Sequence, residues 1–165
     1  MENKKVIILG SSRSKGNTAN SIAAISEKHN IDVIDLNNYT ISYYDYESKN
    51  LNDDFLPLIK SIIENYDTLI FATPVYWYNM SGIMKVFFDR FSDLIRVEKE
   101  TGRKLKGKNM FVISNSHSDR IEKSFYIPFQ KSADYLGMNY TGEIHFNADK
   151  IKELNNIELT QLYNA

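Results

Sequence analysis

Between the short apolar run Val6-Ile7-Ile8-Leu9 and a helix-forming stretch from Thr18 to Lys28, the chain reads Gly10-Ser11-Ser12-Arg13-Ser14-Lys15-Gly16-Asn17-Thr18. Hydroxyls, glycines and one arginine stand where a helix begins, so backbone N–H groups and the positive end of the helix dipole converge on a single anion. The spacing excludes two familiar phosphate binders. A dinucleotide fingerprint needs G-x-G-x-x-G, whereas Gly10 and Gly16 stand too far apart. A P-loop needs Gly-Lys followed by Ser or Thr, whereas Lys15 precedes its glycine. What remains suits a terminal monophosphate. Ser11, Ser14 and Thr18 offer hydroxyls, Arg13 offers a charge-assisted contact, and Asn17 and Thr18, beside Gly16, offer main-chain N–H groups. The alternative to a phosphate site is an ordinary N-capped turn with Asn17 as cap.

A second segment, Thr73-Pro74-Val75-Tyr76-Trp77-Tyr78-Asn79-Met80-Ser81-Gly82, also follows an apolar run and precedes a helical pattern. Pro74 fixes its own φ and biases Thr73 toward an extended conformation, so the chain leaves the sheet in a defined direction. Tyr76, Trp77 and Tyr78, between Val75 and Asn79, then present ring faces for stacking, and nearby main-chain groups can bond the edge of a planar ligand. A phosphate site and an aromatic site at the ends of neighbouring strands suggest one ligand with a phosphate tail and a planar ring. Ser114, Asn115 and His117, in a third loop of the same kind, are expected to complete the rim.

The elements that must position these loops follow from periodicity. Apolar β-rich runs recur at Val6–Leu9, Ile31–Leu36, Thr68–Ala72, Met110–Ser114 and Tyr140–Phe146. Between them, helical spacing appears at Thr18–Lys28, at Leu56, Ile59, Ile62 and Ile63, along Ile83–Ile95, and over Glu122–Leu136, with a last helix expected at Lys150–Tyr163. Five strands alternating strictly with five helices predict an α/β fold: a flavodoxin-like doubly wound parallel sheet of order 2-1-3-4-5 with helices on both faces. In such a sheet ligands bind beyond the carboxyl ends of the strands, at the switch point between strands 1 and 3, where the first two loops fall.

Composition narrows the function. At 165 residues the chain is expected to form one domain, residues 1–165. Its formal net charge of −1, from 20 basic and 21 acidic residues, gives no field that argues for nucleic acid or an anionic membrane surface. There is no cysteine, which excludes disulfides, iron–sulfur clusters, thiolate nucleophiles and cysteine zinc sites. The first apolar run is too short for a signal-peptide core or a spanning helix, so a cytoplasmic protein is expected.

On its first two loops the chain resembles the NADPH-dependent FMN reductase family of flavodoxin-like oxidoreductases. That family's first loop reads close to G-S-x-R-x-x-x-N-T, matched by Gly10, Ser11, Arg13, Asn17 and Thr18. Its second reads P-x-Y, then Ser-Gly, Met or Leu, Lys and Asp-Arg, matched by Pro74, Tyr76, Ser81, Gly82, Met84, Lys85, Asp89 and Arg90. The resemblance implies FMN as prosthetic group, with its phosphate in the first loop and its isoalloxazine against Pro74–Asn79. It also implies NADPH or NADH as electron donor, a small acceptor such as a flavin, quinone, nitro or azo compound, and a homodimer. Iron–sulfur relatives carry clustered cysteines after strand 2, where this chain has Ile41-Ser42-Tyr43-Tyr44-Asp45-Tyr46, so the resemblance is to the cluster-free branch. No catalytic acid or base is required, because the redox chemistry belongs to the cofactor.

The rival reading is a flavodoxin-type electron-transfer protein without NAD(P)H activity. Its loop is typically T-x-T-G-x-T on a markedly acidic chain, whereas this loop carries Arg13 on a near-neutral one. Lys104, Lys106 and Lys108 could attract dinucleotide phosphates, although a solvated lysine-rich loop is the plainer reading. His145, in the last strand, is expected to be structural.

Overall fold

Val6 to Leu9 are buried on both faces, which suits a central strand of a parallel sheet. The computed structural model describes residues 3–150. Its strands are β1 (Lys5–Leu9), β2 (Asp32–Asp35), β3 (Thr68–Tyr76), β4 (Asn79–Met80), β5 (Asn109–Ser116) and β6 (Asn139–Asn147). The sheet runs β2-β1-β3-β5-β6, all parallel, so Ile7 lies between Val33 and Ile70. This is the doubly wound order expected, with six strands where five were predicted. The extra one, β4, arises because β3 runs on past Ala72 to Tyr76 and folds back, pairing Tyr76 with Asn79 across Trp77 and Tyr78, both at positive φ.

Helices cover the sheet unevenly. On one face α1 (Asn17–His29) packs Ala19, Ile22 and Ile25 against Ile7, Leu9 and Ile70. It stops at Asn30, whose left-handed backbone returns its N–H to the Ser26 carbonyl. Gly16, rather than Asn17, is the residue before its first turn, and no side chain caps it. On the other face lie α2 (Phe55–Asn65), α3 (Gly82–Asp89), α4 (Phe91–Arg96) and α6 (Ile127–Leu136), with the short α5 (Lys99–Arg103) between. Their core is an aromatic cluster in which Phe55, Phe71, Phe87, Phe88, Phe91 and Phe129 meet mostly edge to face, the arrangement ring quadrupoles favour.

Two expected helices are shorter than their apolar period. Glu122–Leu136 begins as a 3-10 turn, Lys123–Tyr126, and becomes α-helical where Pro128 fits the first turn; it ends, as expected, at Gly137 with φ 71°. Ile83–Ile95 divides at Arg90, where the ladder tightens and the Asp93 N–H bonds the Arg90 carbonyl at 2.9 Å. The expected terminal helix Lys150–Tyr163 lies outside the described residues.

The divided helix carries a buried cation. Arg90 is 1 % exposed, and its Nε donates to Asp93 Oδ2 at 2.6 Å while Nη1 donates to Asp53 Oδ2 at 2.5 Å. Nη1 and Nη2 also donate to the carbonyls of Ser42 and Asn50, each at 3.0 Å, and the guanidinium lies 4.9 Å from the centre of the Phe55 ring. The Tyr-rich stretch 37–52 is thereby tied to α2 and α4. Burial alone would raise the Asp53 carboxyl, but Arg90 and the N–H groups of Ser42 and Phe55 reverse this and hold it below the usual carboxylate range.

Replacing Arg90 by Met should cost about 3–5 kcal/mol in urea unfolding, because two carboxylates are left without their cation. The stability contributed by Asp53 should be fully present above its unfolded value of about 3.9 and disappear as pH falls through its lower folded value. Asp53→Asn should flatten that acid limb.

Candidate functional site

The carboxyl ends of β1, β3 and β5 are bonded to one another by the residues that follow them. Gly10, one residue past β1, donates its N–H to the Ala72 carbonyl at 2.8 Å and accepts from the Ser81 hydroxyl at 2.6 Å. Ser81 caps α3 by accepting from the Met84 N–H at 3.2 Å, and its own N–H bonds the Thr73 hydroxyl at 3.0 Å. Gly10 is also a point of close approach between loop and helix, since a Cβ there would lie 2.8 Å from Met84 Cβ. Further along the loop, Thr18 Oγ1 donates to Asn115 Oδ1 at 2.8 Å, in a buried bond, and Ser12 Oγ meets Tyr76 Oη at 3.1 Å. Asn37, after β2, donates to the Ser11 carbonyl at 2.5 Å while held by Asp35.

The expected site residues thus fall into two groups. Ser11, Gly16, Thr18, Pro74, Ser114 and Asn115 are buried and join the loops into a floor. Arg13, Ser14, Asn17, Tyr76, Trp77, Tyr78, Asn79 and His117 are exposed around it, with Val75 between the two groups. Trp77 is 93 % and Tyr78 80 % exposed, an unusual display of ring surface for side chains of this kind. The N–H groups of Asn17 and Thr18 open the first turn of α1 and have no carbonyl partner within the helix. The loop turns just before them, the Arg13 carbonyl accepting from the Gly16 N–H at 3.2 Å. This donor set fits a phosphate.

Other candidates resolve differently. His117 turns to the end of β6 and pairs with Asp149 at 3.0 Å. Asp35, at the end of β2 where a dinucleotide fold would place a ribose-binding acid, is used within its own turn, accepting from the Asn37 N–H. The lysine-rich stretch sits at the opposite end of the sheet: Lys108 immediately precedes β5 and bonds the Tyr66 carbonyl at 2.6 Å, just before β3. Lys104, Lys106 and Lys108 are therefore removed from the three loops and are not placed to hold a dinucleotide there. Among the described residues no group of side chains could hold a metal, and no helix is long and apolar enough to cross a membrane.

Sequence reasoning missed Asn37, Thr73, Tyr126 and the part played by His145. Ser114 Oγ, fully buried, lies 2.7 Å from Tyr126 Oη and 2.9 Å from His145 Nδ1. Local spacing carries no signal for such partners. A cavity of about 520 Å³ flanks the first loop, with Leu36, Asn37 and Tyr39 on one side and Gly82, Ile83 and Val86 on the other.

The family model for NADPH-dependent FMN reductases matches residues 3–153. The chain belongs to that family. Its members are FMN-dependent NAD(P)H oxidoreductases, and the floor and rim described above are where this FMN reductase fold places its loops. One relative, the Bacillus subtilis protein YwqN, carries the name of an NAD(P)H-dependent FMN-containing oxidoreductase. It is 27 % identical over 151 residues, which cover 86 % of this chain and 83 % of its own. Two solved structures repeat the fold with FMN bound. One is a Bacillus anthracis FMN-dependent NADH-azoreductase, with TM-score 0.70 and 13 % identity over 99 % of this chain and 100 % of that one. The other is general stress protein 14 of Treponema denticola, with TM-score 0.68 and 17 % identity over 97 % and 96 %.

Gly10→Ala should destabilise the reductase by about 1–3 kcal/mol, because the new methyl group has to displace Met84 and with it the start of α3. Thermal unfolding followed by circular dichroism measures this, and an unchanged midpoint would show that the loop can retreat.

Proposed function

We propose that this chain acts as an FMN-dependent NAD(P)H oxidoreductase. FMN would lie with its phosphate on Ser11–Thr18 and its ring against Pro74–Asn79, beside Ser114, Asn115 and His117. The observation that carries this reading is the division of the three loops: inward side chains lock them together, and Arg13, Ser14 and three aromatic rings are left outward at the β1–β3 switch point. FMN, when bound, supplies the two-electron chemistry that carries hydride from a nicotinamide on to a small acceptor such as a flavin, quinone, nitro or azo compound. The chain's own work is to hold and shield. Arg13 and Ser14 with the first-turn N–H groups neutralise the phosphate, and Tyr76, Trp77 and Tyr78 offer apolar surface that keeps water from the ring. Arg13 and a formal net charge of only −1 favour this reading over a flavodoxin-type shuttle, whose chain is markedly acidic for docking on protein partners.

A cytoplasmic homodimer is the form we favour. A cysteine-free chain using a dinucleotide donor suits a reducing compartment. Ile95 and Tyr135 remain exposed at a shallow groove beside Phe88 and Phe91, apolar surface that a second copy would cover.

Titration calorimetry of the apoprotein should give tighter binding of FMN than of riboflavin. Arg13→Ala should weaken FMN by about 1.5–3 kcal/mol and leave riboflavin nearly unchanged. Equal affinity for both flavins would remove the phosphate assignment. In anaerobic stopped flow, NADH or NADPH should bleach the flavin directly to its fully reduced spectrum, and steady-state turnover should be ping-pong. If neither nicotinamide reduces the flavin on the timescale of turnover, the shuttle becomes the better account.

A further inference from the structure

His145 belongs to no motif, yet it is the junction between the buried floor and the third loop. Its Nδ1 lies 2.9 Å from Ser114 Oγ, and its Nε2 lies 3.1 Å from both the Ser118 carbonyl and Ser116 Oγ. A carbonyl can only accept, so Nε2 carries a hydrogen, and in the neutral ring Nδ1 is then the acceptor for the Ser114 hydroxyl, whose other acceptor is the Ile144 carbonyl at 3.5 Å. The chain then has one direction: Tyr126 O–H donates to Ser114, Ser114 O–H donates to His145 Nδ1, and Nε2–H donates to the rim at Ser116 and Ser118. Ser116 Oγ in turn accepts from the Ser118 N–H at 3.1 Å, closing the loop on itself. Ser114 and Asn115 are consecutive on β5, and Asn115 is the residue that bonds Thr18 of the first loop. The same strand end therefore anchors the phosphate loop through one residue and the rim through the other.

We propose that His145, as the neutral Nε2–H tautomer, is a positioning residue that sets the Ser116–Ser118 rim in the shape that closes on the flavin. The inference rests on the FMN reading above. A doubly protonated ring could not accept from Ser114, so Ser114 would have to turn its hydrogen away and the directed chain would break. Burial disfavours that charged form, outweighing the Ser118 carbonyl and Asp119, which favour it. The charged and titratable groups around the ring are Asp119 on the rim, which is paired with Lys150; Tyr126 on the 3-10 turn; and Glu143 on β6 itself, which acts on Tyr126. His117, also on the rim, is engaged with Asp149.

The test is FMN binding by the apoprotein at about pH 7.5 and at an acidic pH, below the ordinary histidine value, at which proton–nitrogen spectra show the His145 ring doubly protonated, since burial lowers its titration. Four proteins are compared: wild type, His145→Phe, His145→Gln and His145→Asn. The Gln amide keeps a donor where Nε2 stood, whereas the Asn amide keeps only the acceptor for Ser114. His145→Phe and His145→Asn should lose about tenfold in FMN affinity at the higher pH, and His145→Gln should retain most of it. Wild type should lose more affinity on acidification than His145→Gln; titration of the FMN phosphate is common to both and cancels. If His145→Phe does not fold, by circular dichroism, the Gln and Asn proteins decide. Long-range proton–nitrogen spectra of the ligand-free wild type should show the Nε2–H tautomer at this histidine. An Nδ1–H tautomer, or equal affinities and equal pH dependence in all four proteins, overturns the inference and leaves FMN binding intact. Failure of the wild-type apoprotein to bind FMN overturns both.

Discussion

The site depends on how closely β1 and β3 finish. Gly10, the first residue beyond the shared ladder, is bonded directly to the end of β3 and to the start of α3, through the Ala72 carbonyl and the Ser81 hydroxyl. Only a residue lacking a Cβ fits against Met84 at that point. Because Ser81 is both the cap of α3 and the donor to Gly10, the entry of that helix and the path of the phosphate loop are one geometric fact. Moving either would carry the Tyr76 to Asn79 hairpin with it.

Arg90 performs the corresponding task further from the ligand. Buried ion pairs are weak evidence for stability, since desolvation offsets most of the attraction. Here each guanidinium nitrogen has an oxygen partner, two carboxylates and two carbonyls in all, and the group lies over the Phe55 ring. The guanidinium gives the irregular stretch 37–52 an attachment that regular secondary structure does not supply. That stretch lines a cavity together with Gly82, Ile83 and Val86, so a charge buried under the sheet's helical face shapes the surface near the start of α3.

The fold was legible because its signals are local. Apolar runs, a glycine after Leu136 and the order of strands and helices all act over a few residues, and the sheet order followed from them. The candidate loops after β1 and β3 could be picked out for the same reason, since their donors and rings are consecutive. What escaped is what joins distant positions: Thr18 with Asn115 lies 97 residues apart, Ser12 with Tyr76 lies 64, and Ser114 with His145 lies 31. The helix break at Arg90 escaped because Phe87, Phe91 and Ile95 continue the helical period through it, and periodicity reports burial rather than the hydrogen-bond ladder. The extra strand escaped because Trp77 and Tyr78 are not residues that normally make a two-residue turn.

That turn has an evolutionary corollary. Two consecutive left-handed residues at a hairpin tip are the setting in which Asn-Gly is preferred, and a bulky ring at either position stores backbone strain. A sequence selected for folding alone would drift toward asparagine and glycine here, and a thermostabilising screen blind to activity should find those substitutions readily. Tryptophan and tyrosine at this tip thus trade hairpin stability for exposed ring surface.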